Sequence, residues 1–274
     1  MDPHALAVNR RHWDALATVH GEGDDAFYDV AALAAGRGSL TDVEEQALAQ
    51  ALGGRQLAGL DVVHVQCHLG FDAVTFARRG ARVVGYDLSP ASLAKARAVA
   101  ARAGVDVSFV EADATDVPAT LHARFDLAWA TIGIIGWIGD LDAWMRQIAA
   151  VLRPGGRLVL LEIHPLFNML ASVAPLRADF PYAFDGAHME DAEGSYADPS
   201  AEVAETMTVV YAHSVGEVVS SAIGAGLQVL ALHEHLDSPL DPRGGVLPQE
   251  ADGRFRARLD GQPLPVLYTL IAQR

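Results

Sequence analysis

The chain has 274 residues, 51% of them hydrophobic, and a formal net charge of −15 at pH 7. This length suits one sizeable core, and no stretch has the composition of a linker, so we predict a single domain over residues 1–274. The negative charge and the lack of a Lys/Arg cluster argue against nucleic acid as a partner. The longest apolar runs are strand-length and the N-terminus lacks a signal-peptide core, which argues against a membrane protein and favours the cytoplasm.

Residues 1–55 predict a helical cap that precedes the core of the domain. The clearest signal in this segment is Thr41-x-x-Glu44, a capping box in which the two residues satisfy each other's free backbone N–H at the start of a helix. An Ala- and Leu-rich stretch follows and ends at Gly53, a residue type that favours helix termination. We therefore expect helices in this part of the chain.

Residues 60–90 predict a strand, a tight turn, a helix and a second strand, which is half of a nucleotide-type cofactor site. The valine-rich run at 62–65 suits a strand buried on both faces, and the turn that follows contains Gly70. A backbone turned this tightly presents N–H groups to a ligand at the start of a helix. The second strand ends at Asp87, whose carboxylate could accept hydrogen bonds from a ribose diol.

The rest of the core, residues 56–164 in all, continues the alternation of strands and helices. Ser89 and Pro90 mark the start of a well-defined helix. Further strands are predicted at 107–110, 126–130 and 157–163, the last preceded by a Pro-Gly-Gly stop that ends a helix. This order is typical of a mostly parallel sheet of the α/β class.

Residues 165–205 predict a long insertion after the fifth strand. The segment is rich in Pro, Asp, Glu, Gly and aromatic residues and shows no sustained period. Loops of this length and composition often cover an active site, so we interpret the segment as a lid.

Residues 206–274 return to regular structure and should complete the sheet. A second capping box starts a helix at Ser214, and strands are predicted at 227–233 and 264–271. His233 and His235 would share one face of a regular strand, which suits a metal pair. Because no carboxylate stands at ligand spacing, we interpret these histidines as surface or core residues and predict no metal site.

The strand–turn–helix unit, Asp87, Asp113 and the segment LRPGGRLVL at 152–160 together resemble class I S-adenosylmethionine-dependent methyltransferases, over roughly residues 55–165. In that family an acidic residue usually ends the first strand and a Gly-x-Gly-x-Gly turn follows. Here the corresponding residues are His64, Gln66, His68 and Gly70. The resemblance implies a seven-stranded Rossmann-like sheet with an N-terminal helical cap and a lid insertion.

The HxQCHxG form of the first motif is similar to one bacterial branch of the family that acts on small molecules, and some relatives there resemble indole C3-methyltransferases. Further segments shared with that branch are Asn9-Arg10-x-x-Trp13, Phe27-Tyr28-Asp29-Val30, Glu162-Ile163-His164-Pro165, Gly194-Ser195-Tyr196 and His213-Ser214-x-Gly216-Glu217. With them the similarity extends over nearly the whole chain.

The resemblance implies S-adenosylmethionine as the methyl donor, S-adenosylhomocysteine as the product, and a set of cofactor contacts at the strand ends. These contacts would be Gln66, Cys67, His68, Gly70, Asp87, Leu88, Asp113, Ala114 and Thr131. The first four would border the methionine part. Asp87 would hold the ribose, Asp113 would bind the adenine amine and Thr131 would lie beside the sulfonium.

Histidine and tyrosine can take or orient a proton near neutral pH, so they are the candidates for catalysis on the acceptor side. We predict His164, Tyr28 and His20 in this role, with His164 first because it lies just past the fifth strand. Aromatic contacts to the acceptor are expected from Trp137, Tyr196 and Phe167.

The main hypothesis is therefore transfer of a methyl group to a carbon, nitrogen or oxygen atom of a small aromatic or heteroaromatic metabolite, in bacterial secondary metabolism. A nicotinamide-dependent oxidoreductase is one alternative, because Asp87 stands where a dinucleotide fold binds ribose, but the G-x-G-x-x-G motif is absent. A cofactor-binding protein without catalysis is the other. The predicted partner is a small-molecule acceptor, and monomer and homodimer both stay open.

Overall fold

A computed structural model gives the structure of residues 2–22, 27–192 and 194–274. Its helices are α1 (Pro3–Val19), α2 (Val30–Ala34), α3 (Asp42–Leu52), α4 (Phe71–Arg78), α5 (Pro90–Ala103), α6 (Leu141–Val151), α7 (Pro165–Asn168) and α8 (Val215–Gly224). Its strands are β1 (Asp61–Val65), β2 (Arg82–Asp87), β3 (Val107–Glu111), β4 (Phe125–Thr131), β5 (Leu152–Ile163), β6 (Leu170–Val173), β7 (Leu176–Ala178), β8 (His188–Asp191), β9 (Met207–Val210), β10 (Gln228–His235), β11 (Ala257–Leu259), β12 (Gln262–Leu264) and β13 (Leu267–Gln273).

Seven of these strands form one sheet in the order β10-β13-β5-β4-β1-β2-β3. Strands β1 to β5 run parallel to one another, whereas β13 is antiparallel to both β5 and β10. The carboxyl ends of β1, β2, β3, β4 and β5 therefore meet at one edge, where open α/β sheets bind their ligands. This confirms the mostly parallel α/β sheet predicted from the alternation of strand and helix signals, and the seven strands that the resemblance implied.

The sheet is buried on both faces, because helices cover each side of its centre. Residues 62–65 of β1 are almost inaccessible, as expected for a central parallel strand. On one face α3 and α4 pack with Phe76 and Trp129 in the core. On the other, α6 and α8 pack with Trp144 and Ile148. Two apolar layers thus hold the strand ends rigidly in register.

The structure shifts two predicted boundaries. Strand β5 begins at Leu152, immediately after α6, and an irregularity in its pairing with β4 absorbs the Pro-Gly-Gly segment. Strand β13 begins at Leu267 and not at 264, because Pro265 has no N–H to contribute to the ladder. Residues 236–266 form a second insertion, which contains the β11–β12 hairpin and was not predicted.

The N-terminal cap and the lid lie together over the C-terminal edge of the sheet. Helix α1 packs on α5 and β9. The Asp14 carboxylate accepts hydrogen bonds from Ser89 Oγ (2.6 Å) and Ala91 N (3.1 Å) at the start of α5. The Asn9 side chain bonds both the N–H and the carbonyl of Val209, at 2.8 Å each. Within the described parts of the chain, none of the helices is long and apolar enough to cross a bilayer.

Candidate active site

A cavity of about 480 Å³ opens at the carboxyl ends of β1, β2 and β4, within the range usual for small-molecule sites. The core, the N-terminal cap, the lid and the second insertion all contribute to its wall. Its predicted members are Tyr28, Gln66, Cys67, His68, Gly70, Asp87, Leu88, Thr131, Trp137 and Tyr196. Ten of the predicted site residues therefore share one cavity.

The turn after β1 keeps the backbone shape of a glycine-rich turn although only one glycine is present. Gln66 and His68 adopt left-handed φ angles of 49° and 45°. Such a conformation costs a non-glycine residue roughly 1–2 kcal/mol. The Gln66 side chain offsets part of this cost, since its Nε2 donates to the Ile134 carbonyl (3.1 Å) and its Oε1 accepts from Trp144 Nε1 (2.9 Å).

Gly70 is required at the end of the same turn for two independent reasons. Its φ is 71°, and a Cβ there would lie 2.9 Å from the ring of Phe109. Gly85 on β2 is equally confined, because a Cβ would lie 2.8 Å from Cys67 Sγ. The Cys67 thiol is buried, and burial raises its pKa well above the usual value, so it stays protonated. Cys67 thus fills space below the turn and is not poised as a nucleophile.

Asp87 holds the turn and faces the cavity at the end of β2. Its carboxylate accepts hydrogen bonds from the backbone N–H of His68 and of Ser89, at 2.9 Å each. Burial raises the pKa of Asp87 to about 6, while these N–H donors act in the opposite direction. The carboxylate is therefore ionised at neutral pH and beside Leu88, where it can accept further hydrogen bonds from a ligand.

A polar wall beside β1 is built around Asp72, the second residue of α4. Its Oδ2 accepts from Trp129 Nε1 (2.9 Å) and Thr131 Oγ1 (3.1 Å), and its Oδ1 accepts from Ser39 Oγ (2.6 Å). Two donors from β4 and one from the segment before α3 thus fix one carboxylate at the cavity surface. His64 Nε2 lies 4.0 Å from the same carboxylate.

Glu44 and His64 complete this wall, and both are buried side chains whose charged forms are disfavoured. Burial, and then repulsion from Asp72, raise the pKa of Glu44 to about 8. His64 is buried, its pKa is lowered by burial, and its Nδ1 has no hydrogen-bond partner. Among the described residues no lysine or arginine pairs with Glu44 or Asp72. Buried carboxyl groups without a cation are costly, so this wall favours a positively charged ligand group.

Aromatic rings form another part of the cavity wall, directly beside the turn after β1. The hydroxyls of Tyr28 and Tyr196 lie 2.5 Å apart, which joins the N-terminal cap to the lid. Trp13 and Trp137 meet edge to face with their ring centroids 5.2 Å apart. Phe27 packs against both tyrosines. Flat, mostly apolar walls of this kind suit stacking on an aromatic ligand.

The position of Trp137 depends on Glu162, a buried residue on β5. The Glu162 carboxylate accepts from the backbone N–H of Gly133 (2.5 Å), Ile134 (2.8 Å) and Ile135 (3.0 Å). The indole N–H of Trp137 in turn donates to the Gly133 carbonyl at 2.9 Å. The loop after β4, and with it the tryptophan, is held in place by one acidic side chain.

His20 is buried directly behind the tyrosines and does not itself line the cavity. Its Nδ1 lies 2.7 Å from His68 Nε2, and its Nε2 lies 2.6 Å from Ser195 Oγ. Its ring stacks on Tyr28 with a centroid distance of 4.9 Å. The predicted catalytic residue is thus one layer removed from any ligand.

His164, the first catalytic candidate from sequence, is not in the cavity wall. It caps α7, its Nδ1 accepts from Leu166 N (3.1 Å), and its Nε2 lies 2.8 Å from Glu234 Oε1. Both ring nitrogens are engaged in the fold, so the structure does not support a catalytic role for His164. The structure does not support the predicted contact of Phe167 with the acceptor either. Its ring is fully buried in the core, with the Arg243 guanidinium over it at 5.4 Å.

Asp113 and Ala114 also lie outside the cavity wall. The Asp113 Oδ1 accepts from the N–H and the hydroxyl of Thr115, both at 2.8 Å, and so closes a local turn after β3. Ala114 is buried in the core. The contact of Asp113 with adenine therefore stays a prediction.

The wall residues that were missed at the level of sequence include Glu44, Asp72, Leu240 and Pro242. Glu44 forms the predicted capping box with Thr41 and lines the cavity as well. The capping signal in the sequence therefore concealed its place in the cavity wall. Asp72 follows Gly70 by two residues, a spacing that could have drawn attention to it. Leu240 and Pro242 belong to the unpredicted second insertion and gave no signal.

No three metal-ligating side chains come together in residues 2–22, 27–192 and 194–274. His233 Nε2 lies 3.0 Å from Gln50 Oε1, and His235 Nε2 lies 2.8 Å from Thr269 Oγ1. The two histidines therefore make separate contacts within the fold.

The chain is similar to known methyltransferases. A family model described as a methyltransferase domain matches residues 62–156. A ubiquinone biosynthesis O-methyltransferase from Methylobacterium sp. (strain 4-46) is 37% identical over 105 residues, which are 38% of this chain and 41% of that protein. The chain spans about two fifths of the length of the curated relatives it matches.

Solved structures match over a larger share of the chain. An S-adenosylmethionine-dependent methyltransferase from Mesorhizobium loti aligns with a TM-score of 0.56 at 23% identity, covering 88% of this chain and 100% of that chain. The 1,6-didemethyltoxoflavin-N1-methyltransferase of Burkholderia thailandensis, solved with 1,6-didemethyltoxoflavin and S-adenosylhomocysteine, aligns at 0.53 and 16% identity, covering 100% and 91%. The chain therefore has the Rossmann-like fold of class I S-adenosylmethionine-dependent methyltransferases.

Proposed function

We propose that this protein is an S-adenosylmethionine-dependent methyltransferase whose acceptor is a small aromatic or heteroaromatic metabolite, in line with a role in bacterial secondary metabolism. One observation carries the proposal. A single cavity is lined by the Asp87 carboxylate and the left-handed turn, here called the cofactor end, and by the aromatic rings with the Tyr28–Tyr196 pair, here called the acceptor end. A donor and an acceptor could therefore be held in contact.

The residues of the cofactor end fit S-adenosylmethionine. Asp87 would accept from the ribose hydroxyls, and the tight turn at Gly70 would bring backbone N–H groups close to the ligand. Glu44 and Asp72 would accept from the ammonium of the amino acid tail, which would supply the positive charge that this wall lacks. The unpartnered Nδ1 of His64 would bond the same tail. When bound, the cofactor supplies a methyl group on a positively charged sulfur.

At the acceptor end the protein would contribute orientation, and the proton released by the acceptor would pass to solvent water. The rings of Trp13, Trp137 and Phe27 would stack on a flat acceptor. The hydroxyls of Tyr28 and Tyr196 share one hydrogen bond, so one of them can reorient as an acceptor N–H or O–H approaches. Because the donor is already activated, alignment within the cavity accounts for most of the expected rate.

Calorimetry with S-adenosylmethionine, S-adenosylhomocysteine and NAD tests the cofactor. A ligand at a hundred times its dissociation constant stabilises a fold by about 2.7 kcal/mol, so a thermal shift provides an independent readout. Binding of the two adenosyl ligands but not NAD is the expected result. Binding of NAD alone would replace the proposal with the oxidoreductase alternative.

A second experiment tests the acceptor. The protein is incubated with methyl-labelled S-adenosylmethionine and a panel of indoles, phenols and nitrogen heterocycles, with bulk RNA and protein as comparison substrates. Label in small aromatic products supports the proposal. Label in RNA or protein alone contradicts the acceptor class, and cofactor binding without turnover on any acceptor points to a binding protein that has lost catalysis.

A further inference from the structure

Four buried side chains from four segments form an unbroken line of hydrogen bonds. Ser92 Oγ on α5 lies 2.9 Å from His68 Nδ1 in the turn after β1. His68 Nε2 lies 2.7 Å from His20 Nδ1, which follows α1. His20 Nε2 lies 2.6 Å from Ser195 Oγ in the lid. The line therefore connects the cofactor end of the cavity to the lid through a single imidazole.

With one N–H on each of the two imidazoles, the line has two consistent proton arrangements. Burial, with His20 and Lys95 nearby, lowers the pKa of His68 well below its usual value, so the His68 ring is neutral and carries one N–H. If His68 donates to His20, then His20 accepts at Nδ1 and donates to Ser195. If His20 donates instead, every bond reverses. The two ends of the line are thus correlated, because the state of one bond fixes the state of the next.

Each end of the line belongs to the candidate active site. The backbone N–H of His68 donates to Asp87, so the placement of this residue determines the shape of the cofactor turn. Ser195 precedes Tyr196, whose hydroxyl meets that of Tyr28 inside the cavity. The lid turn is itself compact, since Ser195 Oγ accepts from Ala197 N at 3.1 Å.

We propose that His20 is a positioning residue that couples the cofactor turn to the lid turn at residues 194–198. Order imposed on His68 by a bound cofactor favours the bond to His20, and through it the docked position of Ser195 and Tyr196. The coupling is reciprocal, so a docked lid turn also increases the affinity for the cofactor. The inference rests on the proposed cofactor site. It adds that a bound cofactor favours the assembly of the acceptor end.

Two substitutions of His20 separate the two bonds. The amide of Asn reaches about as far as Nδ1 and that of Gln about as far as Nε2. His20→Asn can therefore keep the bond to His68, and His20→Gln can keep the bond to Ser195. Ser195→Ala removes the lid bond without changing the imidazole. His164→Asn is the matched control, because it alters a buried histidine with two engaged nitrogens outside the cavity.

The measurements are calorimetry with S-adenosylhomocysteine and the rate of proteolytic cleavage within 165–205, with and without a saturating concentration of the same ligand. In the wild type the ligand should slow cleavage. Both His20 variants and Ser195→Ala should lose this protection and bind the ligand roughly tenfold more weakly, a typical coupling factor. His164→Asn should keep both properties.

Full protection in the two His20 variants at saturating ligand would overturn the inference, whatever their affinity. Normal affinity together with normal protection in Ser195→Ala would overturn it as well, and this variant does not depend on how the His20 variants fold. A wild-type protein that does not bind S-adenosylhomocysteine would instead contradict the proposed function, so the two failures are distinguishable.

Discussion

The two ends of the cavity are built in different ways. The cofactor end lies mostly within residues 64–88, and its shape comes from backbone turns and from carboxylates that bond backbone N–H groups. The acceptor end brings together Trp13, Tyr28, Trp137 and Tyr196, which are far apart in the chain. A contiguous segment thus specifies a site for one ligand, whereas the second ligand depends on how the cap and the lid dock.

The largest effect should follow from Asp87→Ala. Losing an acceptor for two ribose hydroxyls, together with the bonds to two backbone N–H groups, should weaken S-adenosylhomocysteine binding about a hundredfold, since each charged hydrogen bond contributes ~1.5–3 kcal/mol. In the wild type, affinity should also fall as the pH drops below about 6, where the carboxylate takes a proton. Calorimetry of the wild type and the variant between pH 5 and 8 measures both effects. An affinity that changes neither with pH nor in Asp87→Ala would contradict this assignment.

Asp72→Asn should weaken S-adenosylhomocysteine binding by about thirtyfold, because one charge-assisted bond to the ammonium is lost. 5′-Methylthioadenosine lacks the amino acid tail and should bind equally well to wild type and variant. If both ligands lost affinity equally, Asp72 would act through the turn and not through the tail.

Tyr28→Phe probes the acceptor end of the cavity. Removing one hydroxyl of the pair should lower kcat about tenfold, as expected for one lost neutral hydrogen bond, and leave the affinity for S-adenosylhomocysteine unchanged. Steady-state kinetics on an acceptor found in the screen, combined with calorimetry, would show the split. A loss of cofactor affinity with an unchanged kcat would instead assign the hydroxyl pair to holding the lid turn and not to the acceptor.

Glu44→Gln tests stability and not ligand binding, through the way the free energy of unfolding changes with pH. The pKa of Glu44 is about 8 in the folded protein against an ordinary value of 4.5. The stability this provides is fully present below pH 4.5 and is lost as the pH rises to about 8, by at most roughly 1.4 kcal/mol per pH unit. The glutamine of the variant does not titrate, so the Tm of the variant should decline less than that of the wild type between pH 4.5 and about 8. Parallel Tm profiles for the two proteins would contradict the raised pKa.

The sequence determined the cofactor end because its signals are local. Alternating strands and helices predict a parallel sheet, and in such a sheet the carboxyl ends of the strands meet at one edge. The positions of Gly70 and Asp87 follow from that rule alone. Even so, the left-handed conformations of Gln66 and His68 could not be predicted, because the bonds that stabilise them come from residues elsewhere in the chain.

Direction and burial of individual side chains were decided only by the tertiary structure. His164 lies at the predicted edge, but its ring caps α7 and bonds Glu234, and so it turns away from the cavity. The bonds His20–Ser195 and Tyr28–Tyr196 join residues 175 and 168 positions apart. No periodicity or local propensity encodes such contacts, because they form only when the cap and the lid pack against a sheet that has already brought its strand ends together.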